Sequence, residues 1–127
     1  MKALLLKLSG MDTEAEAALR VIAYFDALGA RSATAEMIAR GAAAIAECGA
    51  GFVSSGGSPV RFSPVGERLR ADRVPPRARQ HTVGEVTAWI ERSGDAEPLD
   101  DLILERFAMC ARAALRDRQP DPFVGVI

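Results

Sequence analysis

His81 is the only side chain in the sequence that titrates near neutrality unaided, so any acid–base or ligand chemistry would have to start there. A base needs an orienting carboxylate, and a metal ligand needs a second ligand at a workable spacing. The sequence around His81 offers neither, and the plainer reading is a partly exposed strand residue. Cys48 and Cys110 sit in apolar helical patterns, AAIAECGAG and ERFAMCARA, where a thiol behaves as a small buried hydrophobe. One His and two Cys cannot build a conventional zinc site or a disulfide framework, so no metal and no cofactor is expected. Ser54, Ser55 and Ser58 surround Gly56-Gly57 without the G-x-S-x-G elbow of a nucleophile. Gly49-x-Gly51 follows a helical pattern instead of opening one, so it lacks the strand–turn–helix context that phosphate binding needs.

Arginine is the other reactive theme. Arg61, Arg68, Arg70, Arg73, Arg77 and Arg79 stand against Glu67 and Asp72 over one stretch, an excess that would suit phosphate groups. Stacking aromatics are missing beyond Phe62 and no recognition helix follows, which favours a solvated loop. Trp89, the one tryptophan, either walls a ligand pocket above a sheet or belongs to the core. Arg61, Phe62, His81 and Trp89 are the candidate ligand-binding residues.

The elements that must position these residues come from a chain of 127 residues, 49% hydrophobic and 26% charged, which is one domain's worth with enough apolar material for a core. A formal charge of −1 excludes the global field that draws a domain onto nucleic acid or acidic lipid. The apolar stretch in MKALLLKLSG is interrupted by Lys7 and lacks a cleavage site, and no run approaches the ~20 apolar residues of a membrane span. A cytoplasmic location without membrane contact is expected.

A first helix is predicted over 12–29, opened by the capping box Thr13-Glu14-Ala15-Glu16 and closed by Gly29, with Ala18, Val21, Ile22, Phe25 and Leu28 on one stripe. Leu4, Leu5, Leu6 and Leu8 are compatible with a further helical turn or two. A second helix is predicted from Ser32 or Ala33 to Cys48, ended by the glycines at 49–51. Two hairpins follow: 52–55 with 58–63 around Gly56-Gly57, and 79–83 with 86–92 around Gly84-Glu85, separated by a loop over 64–78. In the last strand Val86, Ala88 and Ile90 share one face and Thr87, Trp89 and Glu91 the other.

The closing helix is predicted over 98–118, with Pro98 in its first turn, acidic residues at its start and arginines at its end. It carries two apolar stripes. Leu99, Leu102, Ile103, Phe107, Cys110 and Ala114 suit a sheet, while Leu104, Ala108, Ala111 and Leu115 call for another partner, most economically a second subunit. A homodimer is therefore expected through Leu104, Ala108, Ala111 and Leu115, with Phe25 of the first helix.

The stretch ALRVIAYFDAL at 18–28, the helix ending AIAEC at 44–48, and the passage from AWIER at 88–92 to LILER at 102–106 resemble the N-terminal GAF-like sensory domain of PucR-type transcriptional regulators from GC-rich bacteria. The likeness covers roughly residues 4–118. It implies a GAF-like α+β fold in which a small antiparallel sheet is covered on one face by N- and C-terminal helices, forming a single domain over 1–118 with a tail or linker start at 119–127. It also implies a non-catalytic sensory and dimerisation module of a regulator, with a small-molecule effector on the opposite face of the sheet. No helix-turn-helix follows residue 118, so the chain is either a fragment or a standalone relative, and direct nucleic acid contact is not carried over. The competing expectation is a small enzyme built around His81 and the Arg-rich loop.

Overall fold

The computed structural model of the chain describes residues 2–117, with side chains from residue 13 onward. Helix α1 spans Lys2–Ala30 and includes the leucine-rich stretch at 4–8. The expected start at Thr13 is therefore corrected: the preceding Ala, Leu and Lys residues are strong helix formers with no proline among them, and the helix runs through the capping box. Its stop is also not the predicted one. Ser32 takes the left-handed conformation (φ 53°), its amide donates to the Gly29 carbonyl at 3.0 Å, and the Ala33 amide donates to Leu28 at 3.0 Å. This paired return satisfies the last carbonyls of the helix. Helix α2 spans Ala35–Ala46, shorter at both ends than predicted. Thr34 Oγ1 accepts the Met37 amide at 3.1 Å to start it. Glu47, at φ 57°, ends it, with the Cys48 amide donating to Ala43 at 3.3 Å, so the stop precedes the glycines that the sequence pointed to.

Five strands follow: β1 Ala50–Ser54, β2 Val60–Phe62, β3 Arg68–Leu69, β4 Arg79–Val83 and β5 Val86–Ile90. Both predicted hairpins are present, and positive φ at Gly56 (79°) and Gly84 (58°) accounts for the glycines in their turns. Strand β3 lies inside the predicted loop, because two residues are too few to show a period. The sheet is antiparallel with order β3-β2-β1-β5-β4, so the strand entered first is central. Helix α3 spans Asp100–Asp117, beginning two residues after Pro98.

Ala50, Phe52, Val60, Phe62, Val86, Ala88 and Ile90 form the buried inner face of the sheet. Against it lie α2 and α3, and α1 packs outermost, on α3 and more lightly on α2. The Phe52 and Phe107 rings meet edge to face at 6.5 Å across this layer. The fold is therefore α+β with the helices on one face, although α2, not α1, shares the sheet with α3. That arrangement also corrects the basis for the expected dimer interface. Helix α3 is sandwiched between the sheet and α1, so both of its apolar stripes are used within one chain. Leu104, Ala108, Ala111 and Phe25 are buried there and Leu115 is half-buried.

Strands β3 and β4 stand at opposite edges, four strand spacings or roughly 19 Å apart, so residues 70–78 must cross the sheet. Helices occupy the inner face. The crossing runs over the outer one, where Arg61 Nη1 donates to the Arg70 carbonyl at 3.2 Å. Trp89 lies on that outer face and has no exposed surface, with its ring over Gly51, so the crossing strap is what seals it. A Cβ at position 51 would collide with the Trp89 ring and the Val60 carbonyl. Gly51→Ala is expected to destabilise the domain by about 1–3 kcal/mol through overpacking. Gly29→Ala, at a helical position with open space around it, is expected to stabilise by roughly 0.5–1 kcal/mol. Urea unfolding of the two variants should give midpoints displaced in opposite directions.

Candidate functional site

The four candidate ligand-binding residues do not converge. Arg61 and Trp89 lie on the outer face in register with Gly51, whereas Phe62 and His81 belong to the inner-face rows. The guanidinium of Arg61 is engaged by Glu91, with Nε to Oε2 at 2.9 Å and Nη2 to Oε1 at 2.6 Å, and Trp89 Nε1 donates to the same carboxylate at 3.3 Å. Burial works against charge on Glu91, yet these hydrogen bonds outweigh it and hold its pKa below the ordinary carboxylate value. Arg61, Glu91 and Trp89 thus form a closed structural cluster under the strap. Phe62 is 2% exposed and covered by the guanidinium groups of Arg40 and Arg68 at 5.1 and 5.5 Å from its ring centroid. His81 is exposed on the edge strand β4.

A different place gathers polar groups around open space. The residues after β5 turn back over the end of α2 to start α3, and Asp100, only 1% exposed, sits at the junction. Its carboxylate accepts from Arg92 Nη2 at 2.7 Å and Nε at 3.2 Å, and from the Glu97 amide at 2.8 Å. A carboxylate at a helix start also meets the positive end of the helix dipole. Burial opposes the charged form of Asp100, but the Arg92 fork and the Glu97 amide prevail and keep its pKa below the usual range. The pairing in turn raises the pKa of Arg92.

Beside this pair opens a cleft of about 640 Å³ between α1, the end of α2 and the start of α3. Ala17, Ile45, Ala46, Pro98 and Leu99 give it an apolar lining, and Glu14, Glu47 and Glu97 are exposed at its rim. The charge of Arg92 is already met by Asp100, so the field in the cleft is negative, and the C-terminal end of α2 adds to it. Such a lining suits an organic cation with an apolar body. Cys48 follows Glu47; burial pushes its thiol pKa up against the opposing pull of Arg92, which leaves it a poor nucleophile. Among the described residues no group of His, Cys, Asp and Glu is arranged to hold a metal ion, and no helix is long and apolar enough to cross a membrane.

Sequence reasoning missed Arg92 and Asp100 as a pair. They are joined by an aperiodic stretch, SGDAEPL, and the one legible signal was an aspartate in the first turn of a helix. No protein-family model matches the chain, nor does any curated protein or solved structure.

Replacing Arg92 with Ala leaves a buried carboxylate unpaired and is expected to cost about 3–5 kcal/mol. Because the folded pKa of Asp100 lies below its unfolded value, its contribution is complete above the ordinary carboxylate range, roughly pH 4, and is lost as the pH falls through the folded pKa. The stability gap between wild type and Asp100→Asn should therefore narrow between pH 7 and pH 3. An unchanged gap in urea titrations at the two pH values would refute the assigned role.

Proposed function

We propose that this domain is a non-catalytic regulatory module of the GAF-like sensory kind, in which the cleft beside Arg92 and Asp100 receives a small organic cation. The observation that carries the reading is the composition of the cleft walls. Thr13, Glu14 and Ala17 come from α1, Ile45 and Ala46 from α2, and Glu97 to Asp100 from the turn that starts α3. An occupant that touches all three would fasten α1, which makes no extensive contact with the sheet, to the rest of the body. That is a way to convert ligand binding into a change in the most peripheral helix. The likeness of residues 18–28, 44–48 and 88–106 to the sensory domain of PucR-type regulators supports the regulatory part of the reading.

The test is a thermal-shift series with alkyl and aryl amines, using the matching carboxylates as controls. A ligand that binds only the folded state at a hundred times its Kd adds about 2.7 kcal/mol of apparent stability. Amines should raise Tm, carboxylates should not, and Glu14→Gln combined with Glu97→Gln should abolish the rise. If no amine at millimolar concentration moves Tm, or if the double variant responds as wild type does, the cleft is not an effector site.

A regulatory module of this kind would work as a homodimer, and with the stripes of α3 consumed inside the chain the pairing falls to the outward side of α1. Leu19 is 63% exposed there, with Ala23 and Ala27 exposed at the following i, i+4 positions. Sedimentation at tens of micromolar should report a dimer for the wild type and a monomer for Leu19→Glu. A monomeric wild type would remove the dimer from the proposal.

A further inference from the structure

A second concave surface, unrelated to the cleft, lies where α1, α2 and the β2–β3 turn meet. Tyr24, Met37, Arg40, Gly41 and Val65 border a groove of about 390 Å³. Five large hydrophobic side chains are left exposed among the described residues, and three of them, Tyr24 (37%), Met37 (50%) and Val65 (81%), line this one groove. Scattered apolar exposure is ordinary on a soluble domain; its concentration in a single depression is what marks a binding surface.

The rim supplies the sign of the partner. Arg40 and Arg68 both place their guanidinium groups against the Phe62 ring, 5.1 and 5.5 Å from its centroid, so two like charges gather around one aromatic ring. Five other arginines, at 20, 61, 79, 92 and 112, are paired with carboxylates within the domain, but among the described residues neither Arg40 nor Arg68 makes an ion pair. Glu36 and Glu67 are their acidic neighbours in sequence, and neither reaches them. Contact with Phe62 restrains the two guanidinium groups while leaving N–H groups available to an incoming carboxylate.

We infer that the groove lined by Tyr24, Met37 and Val65, with Arg40 at its rim and Arg68 on the Phe62 ring that Arg40 also touches, docks an acidic amphipathic protein segment that inserts a large apolar side chain and sets carboxylates against the two arginines. The groove accepts side chains in the way of a helix laid into an apolar channel. Its concave shape and the net charge of −1 on the whole chain favour a protein segment over an anionic bilayer, which asks for a broad convex basic face. Gly41 shapes the wall. A Cβ there would stand 2.6 Å from the Tyr24 hydroxyl, so the phenol can lie across α2 only because position 41 has no side chain.

The experiment uses a fluorescein-labelled helical peptide with leucines at i, i+3, i+4 and i+7 flanked by glutamates, and a counterpart with lysine in place of each glutamate. Anisotropy should show saturable binding of the acidic peptide, at least tenfold weaker binding of the lysine peptide, and weakening as salt is raised. Arg40→Gln with Arg68→Gln should reduce affinity at least tenfold, and Met37→Ser with Val65→Ser should abolish binding, with each variant first shown to keep the wild-type circular dichroism and melting profile. Gly41→Ala displaces the Tyr24 ring without altering charge and should also weaken binding severalfold. Amide shifts of the labelled domain on peptide addition should centre on residues 37–44 and 64–66. Equal binding of the two peptides, binding that survives the serine double variant, shifts centred elsewhere, or co-sedimentation with phosphatidylserine vesicles in preference to peptide binding would overturn the inference.

Discussion

Asp100 is 1% exposed, and an isolated carboxylate so placed would cost several kcal/mol in lost hydration. It is held in charged form by a two-pronged contact from Arg92 and by the amide of Glu97, and these partners come from the exit of β5 and from the turn that begins α3. The pair therefore fixes where the central helix starts relative to the sheet. Everything α3 does follows from that placement. Phe107 meets Phe52, Leu104 and Ala108 are buried, and Pro98 and Leu99 form the wall that, with Ile45 and Ala46, leaves the cleft open beside α1.

Periodicity reported local order well and partner choice poorly. The hairpins were legible because Gly56-Gly57 and Gly84-Glu85 announce turns whose flanking residues alternate, and Val86, Ala88 and Ile90 do occupy one buried face. The helix ends were misread because Ser32 and Glu47, not glycines, take the left-handed positions; amide-to-carbonyl returns compensate the strain, and no sequence pattern records that. The two stripes of α3 were read correctly as stripes. Assigning the second one to another subunit failed because a pattern shows that a face is covered without showing by what: Asp101 and Arg112, on the same side of α3 as Leu104 and Ala108, reach Arg79 and Glu85 of the β4–β5 hairpin, while Cys110 of the first stripe meets Phe25 of α1. Of the candidate ligand-binding residues, Arg61 and Trp89 are neighbours, but Glu91 and the strap close them off, and those contacts span distant parts of the sequence.

Helix α2 links the two surfaces of opposite character. Its last turn, Ile45 and Ala46 with the Glu47 cap, borders the acid-rimmed cleft, whereas Met37, Arg40, Gly41 and Ala44 line the arginine-rimmed groove. The short helix is half alanine and is buried along one side. Helix α1 also borders both surfaces, through Ala17 and Tyr24.

The strand order has a consequence for how the chain finds this structure. Strands β1 and β2, and likewise β4 and β5, are close in sequence and close by tight turns on the timescale of microseconds. The seam between β1 and β5 joins residues 50–54 to 86–90, which are brought together from far apart in the chain. Gly51 and Trp89 face each other one pair in from the end of that seam, so the tryptophan ring lies over Gly51 only when the two strands are in register. Pairing the central seam therefore closes residues 55–85 into a loop, an entropic demand that neither hairpin makes on its own.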